Sequence, residues 1–459
     1  MFRRQATGKK GAVIANRLTS TFDKSIHKFS LSRAECVATY RFLDNPRVSE
    51  EILINRMMKR TQVETKGKRV ICIGDTTEWN LMRHKRRINL KSSKIGVISD
   101  NYTYGFMSHN ILGIDRDSLD PHGWLSVEVF NRPIDNEAFT RDNDSVPIEE
   151  KESYKWLSSS LKAKEVSLKS CTHALFVTDR ESDIYEYMCK IPDEKTDILF
   201  RASQNRRVIN ETGDLVKVFD DIGKRNKIGE VSIKIQDNKK REDRTAVLEV
   251  RSIRYKIQRP EKKWVRENYP KNVELTMINA KEQNPTLVGE DPVEWYLWTT
   301  EQVNGIEDCR EKLELYKQRW KVEEAHRLLK KEGFNLESSE LETPEGIRKL
   351  LILGMEASLK IQQLKEARDG NTSIAVKEVF EDEEVKCLEQ LNEVYQGATE
   401  KQKNPHPKHS LAWASWIIAR IGGWKGYASQ RKPGTITYKW GYEKFQTLMV
   451  GYRLKNSPP

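Results

Sequence analysis

Tyr316, Arg319, Glu323 and Lys330 are spaced by three, four and seven residues. On one helix at 3.6 residues per turn, their side chains fall within roughly 60° of arc. Arg319 offers phosphate a planar fork, Lys330 a point charge, Tyr316 a hydroxyl and Glu323 a carboxylate. Two further acids, Asp75 and Asp179, follow short apolar runs, Val70–Ile71–Cys72–Ile73 and Ala174–Leu175–Phe176–Val177. Breaking a phosphodiester without a covalent intermediate requires an activated oxygen nucleophile and charge relief at the leaving oxygen. Two Mg²⁺ ions held by carboxylates supply both, with Mn²⁺ as a substitute. In this scheme Asp75 ends its strand and bridges the ions, while Asp179 and Glu323 each hold one.

Each acid also has an ordinary reading. Asp75 could cap the segment after it, Asp179 could belong to a solvated cluster (Asp179–Arg180–Glu181–Ser182–Asp183), and Glu323 could be surface charge beside Glu324. Taken together, the order strand-acid, strand-acid, helix-acid favours chemistry. Glu324 lies about 100° round the helix from Glu323 and leaves the shared face. Simple pairing of Arg319 with Glu323 would leave Tyr316 and Lys330 unexplained.

The elements that must carry these residues read as α/β. The first 65 residues look helical and basic, with a capping pattern at Ser32–Arg33–Ala34–Glu35 and a break at Asn45–Pro46. Strands follow at Val70–Ile73, His109–Ile114 and Trp124–Phe130, then a helix around Glu149–Leu168 and a strand at Ala174–Val177. Three strands, a helix and a fourth strand give a ribonuclease-H-like order. A basic, strand-rich stretch over about 205–295 reads as a β insertion, with strands at Val231–Ile235, Ala246–Val250, Ile253–Ile257 and Val273–Ile278. Lys239–Lys240–Arg241 and Lys262–Lys263 fall in turns between them. One long helix from about Ile306 to Lys331, stopped near Gly333, would carry the polar stripe. Beyond Pro344 the chain is helical. The expected parts are a helical DNA-binding region at 1–65, a catalytic core at 66–345 and a helical dimerisation region at 346–459.

Composition bounds the rest. The 459 residues carry 80 Lys+Arg against 68 Asp+Glu, a net charge of +12 that favours a polyanionic partner. No run is apolar enough to span a bilayer, and no secretory leader is visible, so a cytoplasmic protein that makes no membrane contact is expected. The six cysteines form no CxxC pair, the eight histidines suggest no metal cluster, and no phosphate-cradling Gly-rich loop implies ATP. Arg83–His84–Lys85–Arg86–Arg87 is a dense basic run just after Asp75.

Several motifs carry a resemblance. Gly74–Asp75–Thr76–Thr77, Asp179–Arg180–Glu181–Ser182–Asp183–Ile184 and the Tyr316/Arg319/Glu323/Lys330 spacing resemble the DDE transposases of bacterial insertion sequences. The last is the YREK signature of the insertion-sequence-four group. Tyr40–Arg41–Phe42–Leu43–Asp44–Asn45–Pro46 and Ile418–Ala419–Arg420–Ile421–Gly422–Gly423 extend the likeness over about 24–454. It implies a nucleoid-associated enzyme that forms a homodimer on double-stranded DNA and binds terminal inverted repeats. It would nick the ends, form hairpins and join 3′ ends to target DNA, using two ions per active site. It also implies that Trp295 holds a flipped base, that Arg201 contacts DNA at the active site, and that Lys239, Lys240 and Arg241 grip the terminal repeat. Glu342 lies in a segment that touches terminal DNA in the family, reached here after a one-residue insertion.

Two rivals remain open on sequence. The arm before the match is short, which fits a non-catalytic inhibitor of transposition whose end recognition is impaired. A ribonuclease-H-like nuclease for DNA repair or junctions is the other.

Overall fold

Alternation of small apolar and β-branched residues builds one large sheet, and helices cover both its faces. The computed structural model describes residues 14, 26–30, 32–134, 146–235, 244–283, 292–330, 333–427 and 429–456. Two N-terminal helices, α1 (Arg33–Asp44) and α2 (Glu50–Glu64), are capped by Ser32 and Ser49, whose hydroxyls accept from Glu35 and Ile52 amides. The antiparallel strands β1 (Arg69–Asn80), β2 (Tyr104–Asp115) and β3 (Pro121–Phe130) come next, then helix α3 (Tyr154–Glu165) and strands β4 (His173–Thr178) and β5 (Thr196–Arg201). Strands β6 (Gly229–Ile235), β7 (Arg244–Gln258), β8 (Asn272–Glu282) and β9 (Glu294–Thr299) follow. Helices α4 (Ile306–Lys317), α5 (Trp320–Leu329), α6 (Pro344–Glu366), α7 (Asp382–Tyr395), α8 (Leu411–Ile421) and α9 (Thr435–Asn456) complete the chain.

Among the described residues the sheet is mixed and has twelve strands. β3, β2 and β1 pair antiparallel, and β1, β4 and β5 are parallel. β5 then pairs antiparallel with β9, which continues through β8 and β7. The inserted strands therefore extend the same sheet. One apolar layer joins Ile73, Val177 and Leu297 to α4, α5, α6 and the terminal helices; the other joins Cys72, Phe176 and Trp298 to α3. No helix among the described residues is long and apolar enough to cross a membrane.

Four expectations need correction. Asp75 does not end a strand: β1 runs five residues further, because its pairing with β2 continues to Asn80↔Gly105 after its parallel pairing with β4 stops at Ile73↔Val177. Ala246–Val250 and Ile253–Ile257 belong to a single 15-residue strand, since Arg251 and Ser252 stay paired with Asn279 and Ile278. Lys263 opens a short helix to Asn268. The long helix over 306–331 is two helices. At the junction Gln318 and Arg319 keep helical dihedrals, but the Gln318, Arg319 and Lys321 amides bond three residues back. Gly333 sits past the end of α5, where a Cβ would lie 1.6 Å from the Leu328 carbonyl oxygen. Only glycine allows that approach.

Helix α6 is the hub. Thr343 caps it and Pro344 occupies its first turn, which suits proline's fixed φ and missing donor. Lys349 reaches from it to the Leu43 and Asn45 carbonyls, 2.7 and 3.0 Å, tying the N-terminal helices to the core. Helix α8 is buried along its length, with Trp413 2%, Ile417 0% and Ile418 0% exposed. Its apolar residues are internal core.

Asp183 is 0% exposed and receives Arg206 Nε at 2.7 Å together with the Ser203 and Gln204 amides. Asp183→Ala strands a buried guanidinium and should cost about 3–5 kcal/mol. A large fall in the thermal unfolding midpoint is expected, substantially restored in Asp183→Ala/Arg206→Met.

Candidate active site

The end of the parallel pairing sets the site. Asp75 and Asp179 each lie two residues beyond the matched pair Ile73↔Val177. Alternation along a strand puts each on the face carrying Ile73 and Val177, against which α5 packs. Gly74 leaves room beneath for Trp156: a Cβ there would be 3.0 Å from the indole. Asp179 also accepts the Glu181 amide at 2.8 Å, which starts the turn over Arg180–Ser182.

Arg319 stands among the acids. Its Nη1 is 4.0 Å from Asp75 Oδ1, and its Nη2 is bonded to Glu323 Oε1. Helical dihedrals across the α4–α5 junction keep Tyr316, Arg319 and Glu323 on one side despite the break. Lys330 caps α5, with its ammonium 5.6 Å from the Trp79 ring centre. Asp75, Thr77, Glu323, His326, Lys330 and Glu337 line a cleft of about 430 Å³. Glu324 turns away to Lys365 of α6, 2.5 Å distant, in keeping with its place off the stripe.

Tyr316 is buried, and its ring meets Trp295 edge-on at 5.7 Å. Trp295 is half-buried on this face, while Trp298, three residues on, is fully buried on the other. Arg201 donates to the Glu294 carbonyl at 3.1 Å and acts on Tyr316 electrostatically. Lys239, Lys240 and Arg241 lie outside the described residues. Arg83, Lys85, Arg86 and Arg87 are exposed in the segment that follows β1.

The electrostatics are those of crowded acids. Burial pushes the Asp179 carboxyl up, the Glu181 amide draws it back, and the charges of Glu181 and Asp75 raise it further, to about 6. Burial also raises Glu323, with Arg319 opposing and Asp75 reinforcing. Asp75 goes the other way: burial is outweighed by His326, Arg319 and the Thr76 amide, leaving it below the usual carboxylate range. Oxygen donors under mutual repulsion suit a hard divalent cation, which would neutralise them. The three carboxylates do not bring ligand atoms within 4.8 Å of one another, so as they stand one ion could not collect all three.

The group that does meet that distance among the described residues is His173, Asp197 and Glu301, at the opposite end of the strands. This departs from the expectation that histidine forms no such cluster. Its carboxylates are already paired, however. His173 Nε2 is 2.9 Å from Asp197, and Glu301 is held by Arg116 and, at 2.7 Å, by Lys312. Two cations on one carboxylate oppose a third, and the geometry is that of an ion-pair network.

Sequence reasoning missed three neighbours. His326 lies 3.6 Å from Asp75 through Nδ1; its spacing of three from Glu323 was the available signal. His109, fully buried and 2.9 Å from Thr76 Oγ1, is held neutral with a pKa lowered to about 3, by burial first and then by Lys155. Trp320 is 64% exposed with the Arg319 guanidinium 5.9 Å from its ring, an unusual position for indole.

A carboxyl whose folded pKa exceeds the unfolded value of about 3.9 contributes stability below that pH and loses it as pH rises through the folded value. For Asp179 the loss spans pH values up to and beyond about 6. Asp179→Asn should therefore raise the metal-free unfolding free energy increasingly between roughly pH 4 and 7, by about 2–3 kcal/mol at neutral pH, read as a higher unfolding midpoint. Mg²⁺ should narrow the gap by stabilising the wild type more. Scanning calorimetry across pH, with and without Mg²⁺, measures both.

Residues 159–358 match the family model of the transposase DDE domain. The match takes in Asp179, Arg201, Trp295 and the pair α4–α5, and begins after Asp75. It supports a DDE transposase.

Proposed function

We propose that this chain is a transposase of the insertion-sequence-four group that excises and inserts a DNA element. It binds terminal inverted repeats, cleaves at the element ends through a hairpin, and joins the 3′ ends to target DNA. The observation carrying this reading is the convergence of Asp75 and Asp179, at matched register, with Glu323 and Arg319 from α5. The ribonuclease-H-like core is part of the proposal, supported by the order β3-β2-β1-β4-β5.

Asp75, Asp179 and Glu323 would hold two divalent ions, Mg²⁺ or Mn²⁺. When bound, these supply charge relief at the scissile phosphate and acidify the attacking hydroxyl or water. Arg319 would present its fork to a phosphate oxygen. Lys330 lines the same cleft and offers a second positive charge, and Tyr316 a donor. Trp295 lies edge-on to Tyr316 and offers a face on which a base leaving the stack can rest, as a hairpin requires. Arg201 borders the same wall. The exposed run Arg83–Arg87 supplies sequence-independent phosphate grip, and Lys239, Lys240 and Arg241 are assigned to the terminal repeat.

In this organisation 1–65 help bind DNA ends, 66–345 perform the chemistry and 346–459 form the dimer on DNA. With α8 internal, α9 offers a partner exposed apolar residues, Trp440 at 54% and Leu454 at 74%.

Glu323→Ala should lower cleavage by more than the roughly 10–100-fold typical of residues behind a metal site, while binding inverted-repeat DNA within a few-fold of wild type in gel shifts. Unchanged cutting by this variant would falsify the site. Precut donor ends mixed with target plasmid and Mg²⁺ should give joined products; cleavage without joining would make the chain a nuclease instead.

A further inference from the structure

The polar stripe leaves His326 out, since its position falls about 20° beyond the stripe's edge. Its side chain is nevertheless only 6% exposed and lines the cleft. Asp75 is gripped from two sides: Oδ1 has Arg319 Nη1 at 4.0 Å, and Oδ2 has His326 Nδ1 at 3.6 Å. Arg319 is shared with Glu323 and, in the reading above, is needed by the phosphate. His326 has no such second duty.

The ring is itself fixed. Asn110 stands directly opposite Asp75 in the β1–β2 register, so both side chains rise on the same face. The Asn110 amide nitrogen lies 2.9 Å from His326 Nε2 and 2.9 Å from Ser108 Oγ, which also accepts the Trp79 indole N–H at 2.9 Å. With the amide N–H donating to Nε2, the ring proton sits on Nδ1, the nitrogen facing Asp75. Trp124 stacks parallel to the ring, 9° between planes and 6.3 Å between centres, and donates to the Met355 carbonyl of α6 at 2.9 Å. Asn110 thus sets the tautomer and Trp124 the ring plane.

We propose that His326 is a positioning residue that orients the Asp75 carboxylate for divalent-cation binding, through an Nδ1–H turned to Oδ2 and backed by Asn110 and Trp124. The inference rests on reading Asp75 as a cation ligand. A carboxylate on a strand has two free torsions, and a donor on one oxygen fixes its plane and leaves the other oxygen open to a cation.

Two substitutions separate the ring nitrogens. The amide of His326→Asn falls near Nδ1 and can still donate to Asp75, whereas that of His326→Gln falls near Nε2 and keeps only the Asn110 side. Mn²⁺ binding to the full-length protein, followed by electron paramagnetic resonance of the free ion, gives an affinity independent of turnover. His326→Gln should weaken it by about 10–100-fold, and His326→Asn should restore it to within a few-fold of wild type. Asn110→Ala, which leaves His326 intact, should fall between. Circular dichroism of each metal-free variant checks the fold. If the Gln and Asn variants bind Mn²⁺ as wild type does, or lose affinity equally while folded, the positioning role is wrong. If wild type and Asp75→Ala bind Mn²⁺ alike, the failure lies instead with Asp75 as a ligand.

Discussion

Repulsion between carboxylates brought together at the end of a parallel strand pair governs this molecule. Asp75 and Asp179 occupy equivalent positions beyond Ile73↔Val177, and Asp75 raises the cost of ionising both Asp179 and Glu323. Such an arrangement persists only if the surroundings impose it. Arg319 compensates from within by lying beside both Asp75 and Glu323, and so serves as an internal counterion.

The rest of the fold holds the repelling groups still. At the opposite end of the strands, Arg116 after β2 bonds Glu301 after β9 and Glu311 on α4, while Lys312 joins both acids. This fixes the start of the helical segment that delivers Tyr316, Arg319 and Glu323. Near the site, the buried pair Asp183–Arg206 locks the turn after Asp179 to the chain following β5. Helix α6 presses on α5 from outside, with Gln362 bonded to the Lys321 carbonyl at 2.6 Å and Lys365 to Glu324. Charged groups used for anchoring are thus mostly buried and paired, and those at the cleft are crowded.

The short break between α4 and α5 has a mechanical meaning. Bonds to the third residue back tighten the turn at Gln318–Arg319 without changing the sign of the dihedrals. Tyr316, on the first helix, packs toward Trp295 and Arg201, while Glu323, on the second, reaches toward Asp75. One stripe thereby serves two neighbouring surfaces, one aromatic and one acidic, with Arg319 at the corner.

Much of this was legible in the residues. Apolar runs marked β1 and β4, the capping serine marked α1, and the i, i+3, i+7 spacing gathered the stripe, because strand and helix periods are local properties of the backbone. Glu324 could be set apart from Glu323 by angle alone. Local patterns could not say how far β1 extends past Asp75, since that depends on Asn80 finding Gly105 across the sheet. They gave two strands where β7 is one, because partners on β8 keep Arg251 and Ser252 extended. His326 shows the limit most clearly: its residue type and helix position were visible, but its contact with Asp75 depends on Asn110 and Trp124 from other strands. Sequence determined which groups were available and which face each took, and only the pairing of distant segments decided which of them meet.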